Sequence, residues 1–242
     1  MSMDRRTALR LLCASGVCAV LVQPSQGEPP GKIRPDKGCV LIVVDVQNCF
    51  LRGGTLAVAH GDDVVPVINR LAPSFQNVVI TQDWHTAGHV SFASSHAGRK
   101  PFETIRLRYG DQVLWPDHCI EGTPDAALGS ELRVPQAQLI LRKGFHQDID
   151  SYSAFKEADR STPTGLEAYL RERGIQRLFL TGLATDFCVA WTALDARAAG
   201  FECSVIEDAC RGIDLNGSLT AAWKNMESKG VKRIQSADID LV

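Results

Sequence analysis

Residues 177–189 read RLFLTGLATDFCV. Leu178, Phe179 and Leu180 form a continuous apolar run, the pattern of a parallel strand covered on both faces. Gly182 ends it with a residue that lets the backbone turn sharply, and Thr185 or Asp186 stands where a helix running to residue 198 would be capped. Strand, turn and helix in that order deliver Cys188 to a first helical turn. Unpaired amides and the positive end of the helix dipole would there favour a thiolate and bind a developing oxyanion. The plainer alternative is that Cys188 is a small buried hydrophobe.

Outward from this stretch the pattern recurs. Short apolar runs over 39–44, 77–81, 138–142, 202–206 and 231–235 read as strands. Helical spacing covers 62–74, 164–173 and 218–229, and Thr164-Gly165-Leu166-Glu167 has the form of a capping box. Strands alternating with helices predict an α/β fold: a doubly wound, mostly parallel six-stranded sheet with helices on both faces, in a single domain over residues 38–242. Residues 86–135 show no long periodic element, and a loop of that length inside a compact domain is usually functional. Ligands of such sheets bind beyond the carboxyl ends of the strands, where Asp45, Asp83, Lys143 and Gly182 all fall.

The chain has 242 residues, 45% of them hydrophobic, enough for one sizeable core. A formal net charge of −2 and the lack of a basic stripe interleaved with aromatics exclude nucleic acid as a natural partner. Residues 1–27 differ from the rest. Arg5 and Arg6 precede an apolar stretch whose one charge is Arg10, and a polar exit follows at 23–27. This resembles a twin-arginine export signal, which predicts a periplasmic or otherwise exported protein, with a cytoplasmic one as the alternative if the leader does not function. The stretch is short for a permanent membrane span. Residues 28–37 read as a Pro/Gly linker. Six cysteines lie beyond residue 27, at 39, 49, 119, 188, 203 and 210, with no CxxC pair. They imply no disulfide framework and leave a single disulfide open, with Cys188 free.

Two constellations carry chemistry. Asp45 closes one apolar strand and Lys143 another. If both reach Cys188, the ammonium favours the thiolate and the carboxyl group carries protons, as acyl transfer to sulfur requires. Taken alone, Asp45 caps a turn and Lys143 is a surface cation. Asp83 and His85 share a face at a strand end; with His89 and His118 they make one carboxylate and three imidazoles, a set suited to zinc, manganese or iron. The alternative is four polar residues on one loop. Phe50 and Trp115, directly beside these motifs, are candidates for a flat wall against an aromatic ring.

The ordered set VDVQNCF (44–50), QDWH (82–85), GHVSFASSH (88–96), WPDHC (115–119), RKG (142–144), DSYSAF (150–155), GLATDFCV (182–189) and DACRG (208–212) resembles the isochorismatase-like cysteine hydrolases, and within them the nicotinamidase/pyrazinamidase group. The resemblance covers nearly all of residues 38–242. It implies a metal-dependent amidohydrolase of NAD salvage that converts nicotinamide, and pyrazinamide with it, to the acid and ammonia through a thioester. Asp45, Lys143 and Cys188 would be its triad. Asp83, His85, His89 and His118 would hold one divalent ion, zinc ahead of iron or manganese. The amides of Ala184 and Cys188 would form the oxyanion hole beside a Leu183–Ala184 cis peptide, and Phe50, Trp115, Tyr152 and Leu183 would line the pocket. The resemblance leaves a homo-oligomer open. Members often read QND where this chain has Gln47-Asn48-Cys49, which places an oxidisable thiol beside the site. The rival readings are a hydrolase of another small amide or carbamoyl compound and an exported protein that binds without turnover.

Overall fold

A computed structural model of the protein describes residues 31–241. Residues from Lys32 onward form one compact unit. The expected export signal at 1–27 lies outside the described residues.

The strands are β1 (Cys39–Val44), β2 (Asn77–Asp83), β3 (Thr104–Leu107), β4 (Gly110–Val113), β5 (Leu139–Lys143), β6 (Arg177–Leu183), β7 (Glu202–Arg211) and β8 (Lys232–Ile234). The helices are α1 (Val64–Leu71), α2 (Leu166–Glu172), α3 (Ala190–Ala198) and α4 (Ser218–Ser228). Six strands form one sheet in the order β5-β2-β1-β6-β7-β8, with every neighbouring pair parallel. From β1 the chain winds outward through β2 to β5, then returns to β6 on the other side of β1 and winds outward again. The switch point therefore lies at the carboxyl ends of β1 and β6.

The apolar runs are unbroken because both faces are covered. Leu41, Val43, Val78 and Ile80 face Val64, Ile68 and Leu71 of α1. Val40, Ile42, Val44 and Val79 face Leu166 and Leu170 of α2, Ala193 of α3 and Trp223 of α4. Gly182 is demanded by a close approach: its φ is +107°, and a Cβ there would sit 2.0 Å from the Val44 carbonyl oxygen.

Four expectations need correction. Neither Thr185 nor Asp186 caps the helix after β6. The chain enters α3 through one π-helical turn, Thr185–Val189, preceded by an extended Ala184. The Asp186 carboxylate instead accepts the backbone N–H groups of Ile213 and Asp214 and the Ser218 hydroxyl, tying the segment after β7 to the start of α4. The capping box at 164–167 does not form, since left-handed Gly165 precedes α2 and Glu167 pairs with Arg171 one turn on. The long loop contains an antiparallel hairpin, β3 with β4, whose strands are too short and polar to show a period. The last part of the expected linker is anchored, because Ile33 exchanges backbone hydrogen bonds with the Asp238–Asp240 segment.

Candidate active site

Asp45 lies just past β1, and Asp83, Lys143 and Leu183 end β2, β5 and β6, so the register of the sheet gathers their side chains at one edge. Lys143, fully buried, is the hub. Its ammonium donates to Asp83 Oδ1, to the Ser151 carbonyl at 2.9 Å and to Cys188 Sγ at 3.4 Å. Asp45 Oδ2 lies 2.9 Å from the same nitrogen. The three residues expected to form the triad thus meet in one buried cluster.

Asp45 is held for its task. Its backbone is left-handed, with φ at +47°, a conformation that costs a non-glycine residue about 1 kcal/mol and must be enforced by its surroundings. Thr81 enforces it, with Oγ1 accepting the Asp45 N–H at 3.1 Å and donating to Asp45 Oδ1 at 2.5 Å. Oδ2 has no aligned hydrogen bond, which leaves a buried acceptor beside the sulfur.

Burial raises the Asp45 carboxyl above its ordinary value despite the Lys143 charge. For Asp83 burial acts in the same direction, but Lys143 and the neighbouring imidazoles overcome it and hold that carboxylate well below the usual range. Burial would lower the Lys143 ammonium, and the two carboxylates more than reverse this. At Cys188 two influences oppose one another: burial pushes the thiol above its ordinary value, and the Lys143 charge acts to lower it. The thiol shares this buried cluster with the Asp45 carboxyl group, which can take its proton as the sulfur attacks.

The second constellation adjoins the first. His85 Nε2 and His118 Nε2 lie 3.6 and 3.7 Å from Asp83 Oδ2. The Nδ1 of His85 donates to the Gly144 carbonyl and that of His118 to the Pro116 carbonyl, each at 2.8 Å. Both rings are thereby held with Nε2 facing the Asp83 oxygen, the arrangement of imidazole ligands oriented by their outer partners. Gly144 is required, since a Cβ would sit 2.6 Å from the His85 ring. Gln47, fully buried, clamps the Asp83 backbone by accepting its N–H and donating to its carbonyl, each at 2.8 Å.

His89 stands apart from the expected four. It stacks 4.3 Å from His85, but its Nε2 donates to the carbonyls of His146 and Ile149, and Ser91 occupies its Nδ1. Burial lowers it to about 4, so this ring is neutral with both nitrogens engaged. The structure brings Asp83, His85 and His118 together, and gathers His85, His89 and Asp150 beside them.

Aromatic residues flank the cluster. Trp115 meets Phe187 edge-on at 4.8 Å and donates its indole N–H to the Tyr152 hydroxyl at 2.9 Å. Phe50 lies against His118 at 5.6 Å. Leu183 is fully buried, with a methyl near Gly61. The Leu183–Ala184 peptide is cis.

Sequence reasoning missed Thr81, Gln47, Phe187 and Gln112. Phe187 carried a signal as an aromatic residue adjacent to Cys188. Gln112 carried none: it comes from the unforeseen hairpin, is almost fully buried, and donates to Asp150 Oδ2 at 2.6 Å and to the Tyr152 hydroxyl at 3.2 Å.

A model of the isochorismatase domain matches residues 39–238. The chain belongs to the isochorismatase family. Within that family it is 59% identical over 208 residues to a nicotinamidase of Acinetobacter baylyi, covering 86% of this chain and 97% of the relative. The solved structure of an Acinetobacter baumanii nicotinamidase/pyrazinamidase superposes with a TM-score of 0.83 at 62% identity, over 84% of this chain and 98% of that one. A Pyrococcus horikoshii pyrazinamidase solved in complex with zinc gives a TM-score of 0.67 at 33% identity, over 82% and 99% of the two chains.

Proposed function

We propose that the protein hydrolyses nicotinamide to nicotinate and ammonia, with Cys188 as nucleophile. The observation that carries the chemistry is the meeting of Cys188 Sγ, the Lys143 ammonium and the Asp45 carboxyl group in one buried cluster. The choice of substrate is supported by likeness to nicotinamidases over nearly their whole length.

Cys188 attacks the carboxamide carbon while its thiol proton passes to Asp45 Oδ2. Lys143 stays charged throughout and stabilises the sulfur as its proton leaves. The oxyanion accepts from the amides of Ala184 and Cys188, and each such donor is worth about 3 kcal/mol of barrier. Asp45 then protonates the leaving nitrogen, ammonia departs, and a thioester remains on Cys188. A water molecule, losing its proton to Asp45, attacks that thioester. Nicotinate leaves, and the thiol recovers its proton from Asp45. Phe50, Trp115, Tyr152 and Phe187 supply the flat apolar surfaces that a pyridine ring needs.

Asp83, His85 and His118 suit a divalent cation, because the Nε2 atoms of two imidazoles, each oriented by a backbone carbonyl, lie 3.6 and 3.7 Å from one Asp83 oxygen. Held there, a zinc ion, or iron or manganese in its stead, supplies a site for the ring nitrogen that orients the carboxamide. The test is ammonia release from nicotinamide against a panel of small amides and carbamoyl compounds, with and without chelator. Nicotinamide should be the preferred substrate and chelator should suppress turnover. Preference for another amide would redirect the substrate assignment.

Export is also inferred, on the Arg5-Arg6 pattern and on a buried disulfide of the kind that forms in oxidising compartments. Fractionation should place the full chain outside the cytoplasm and a form lacking residues 1–27 inside it.

A further inference from the structure

Phe50 and His118 meet ring to ring, and their chain neighbours Cys49 and Cys119 are joined by a disulfide, both cysteines fully buried. The bond crosses between two loops, one leading from Asp45 to Phe50 and the other carrying Trp115 and His118. Neither loop is in the main sheet. The covalent rung and the aromatic rung lie side by side, which prevents the loops from sliding past one another.

The cross-link falls where the backbone most needs holding. Cys119 has φ at +46°, in the left-handed region that a side chain disfavours, and it follows His118 directly. Three restraints keep it there: its N–H donates to the Asp125 carboxylate at 3.1 Å, its carbonyl accepts the His85 N–H at 3.1 Å, and its sulfur is bonded to Cys49. Cys49 is tied to the same acidic residue, since its N–H donates to the Asp125 carbonyl at 2.8 Å. With the sulfur bond absent, the left-handed turn would rest on two hydrogen bonds, and the loop bearing His118 could relax away from Asp83. A ligand that must be recaptured from a relaxed loop binds its ion more weakly than one already in place.

We propose that the Cys49–Cys119 disulfide is a positioning element for the cation site, fixing His118 toward Asp83 and Phe50 against it, so that the chain binds a divalent ion more tightly with the disulfide than with two thiols. This rests on the assignment of Asp83, His85 and His118 as ligands.

The test compares full-length protein, made in reducing medium and stripped of metal, before and after oxidised glutathione converts the two thiols to the disulfide with release of two glutathione thiols. Zinc affinity is titrated on both forms at a temperature where both show native circular dichroism. The disulfide form should bind zinc at least tenfold more tightly, and the C49S/C119S variant should match the reduced form. Affinities within twofold of one another would overturn the proposal, since a bond that served stability alone would leave them equal. So would peptide mapping that finds Cys49 and Cys119 unlinked in the oxidised folded protein. Should the oxidised protein bind zinc no better than Asp83→Ala, the ligand assignment itself falls, and the proposal with it.

Discussion

Thr81 Oγ1 makes two hydrogen bonds to one residue, accepting the Asp45 N–H and donating to Asp45 Oδ1, and so holds the proton-carrying carboxyl group in a left-handed backbone with Oδ2 on the Lys143 ammonium. Thr81→Val keeps the volume and removes both bonds. We expect kcat for nicotinamide hydrolysis to fall roughly 10- to 100-fold, equivalent to about 1.4–2.7 kcal/mol of barrier, with KM changed little. Initial-rate measurement of ammonia release checks this, and an unchanged kcat would remove Thr81 from the machinery.

Lys143 separates two buried carboxylates, so its loss leaves like charges facing one another without a cation. Lys143→Met should abolish turnover and destabilise the fold by about 3–5 kcal/mol at neutral pH. The Asp45 carboxyl, already raised by burial, would rise further, and a group raised on folding costs stability as pH climbs through its folded value. The deficit relative to the parent should therefore shrink as pH falls toward the ordinary carboxylate value of 3.8. Denaturant unfolding of both proteins across acid to neutral pH measures it; a deficit independent of pH would contradict the account.

Whether the ion has three protein ligands or four turns on His89. Because its two ring nitrogens are occupied by Ser91 and by the carbonyls of His146 and Ile149, His89→Gln should keep a stoichiometric metal with affinity reduced about tenfold, the scale of a bracing partner. His118→Ala should lose the metal. Elemental analysis of the purified variants decides, and loss from both would restore a four-residue set.

Gln112 connects the hairpin to the pocket through Asp150 and the Tyr152 hydroxyl. Gln112→Leu should raise KM about 5- to 30-fold, the cost of 1–2 kcal/mol of lost hydrogen bonding, while kcat stays within about threefold because Lys143 keeps its own partners. An equal fall in kcat with KM unchanged would point to a different role.

The legible parts of this protein are those where one residue type answers one physical demand. Continuous apolar runs at β1 and β6 appear because both faces of the sheet are covered, and from the ends of β1, β5 and β6 Asp45, Lys143 and Cys188 could be placed on one edge. Gly182 was read as the turn that ends β6, whereas it lies within the strand and is glycine because a Cβ would meet the Val44 carbonyl. What stayed hidden depends on partners distant in sequence. The β3–β4 hairpin has no apolar period, Asp186 turns from an expected cap to bind residues near α4, and Cys49 finds Cys119 at a separation of 70 residues. The helix terminus and Lys143, which favour a thiolate at Cys188, were visible in the sequence, whereas the burial that opposes them was not.

The central claim is that acyl transfer passes through the Cys188 sulfur. Acid quenching of the enzyme during steady-state turnover of nicotinamide, followed by peptide mass spectrometry, should find a nicotinoyl group on the peptide bearing Cys188 and none on the Cys188→Ala protein, which releases no ammonia. Sustained ammonia release by Cys188→Ala, or turnover without any adduct on that peptide, would contradict it.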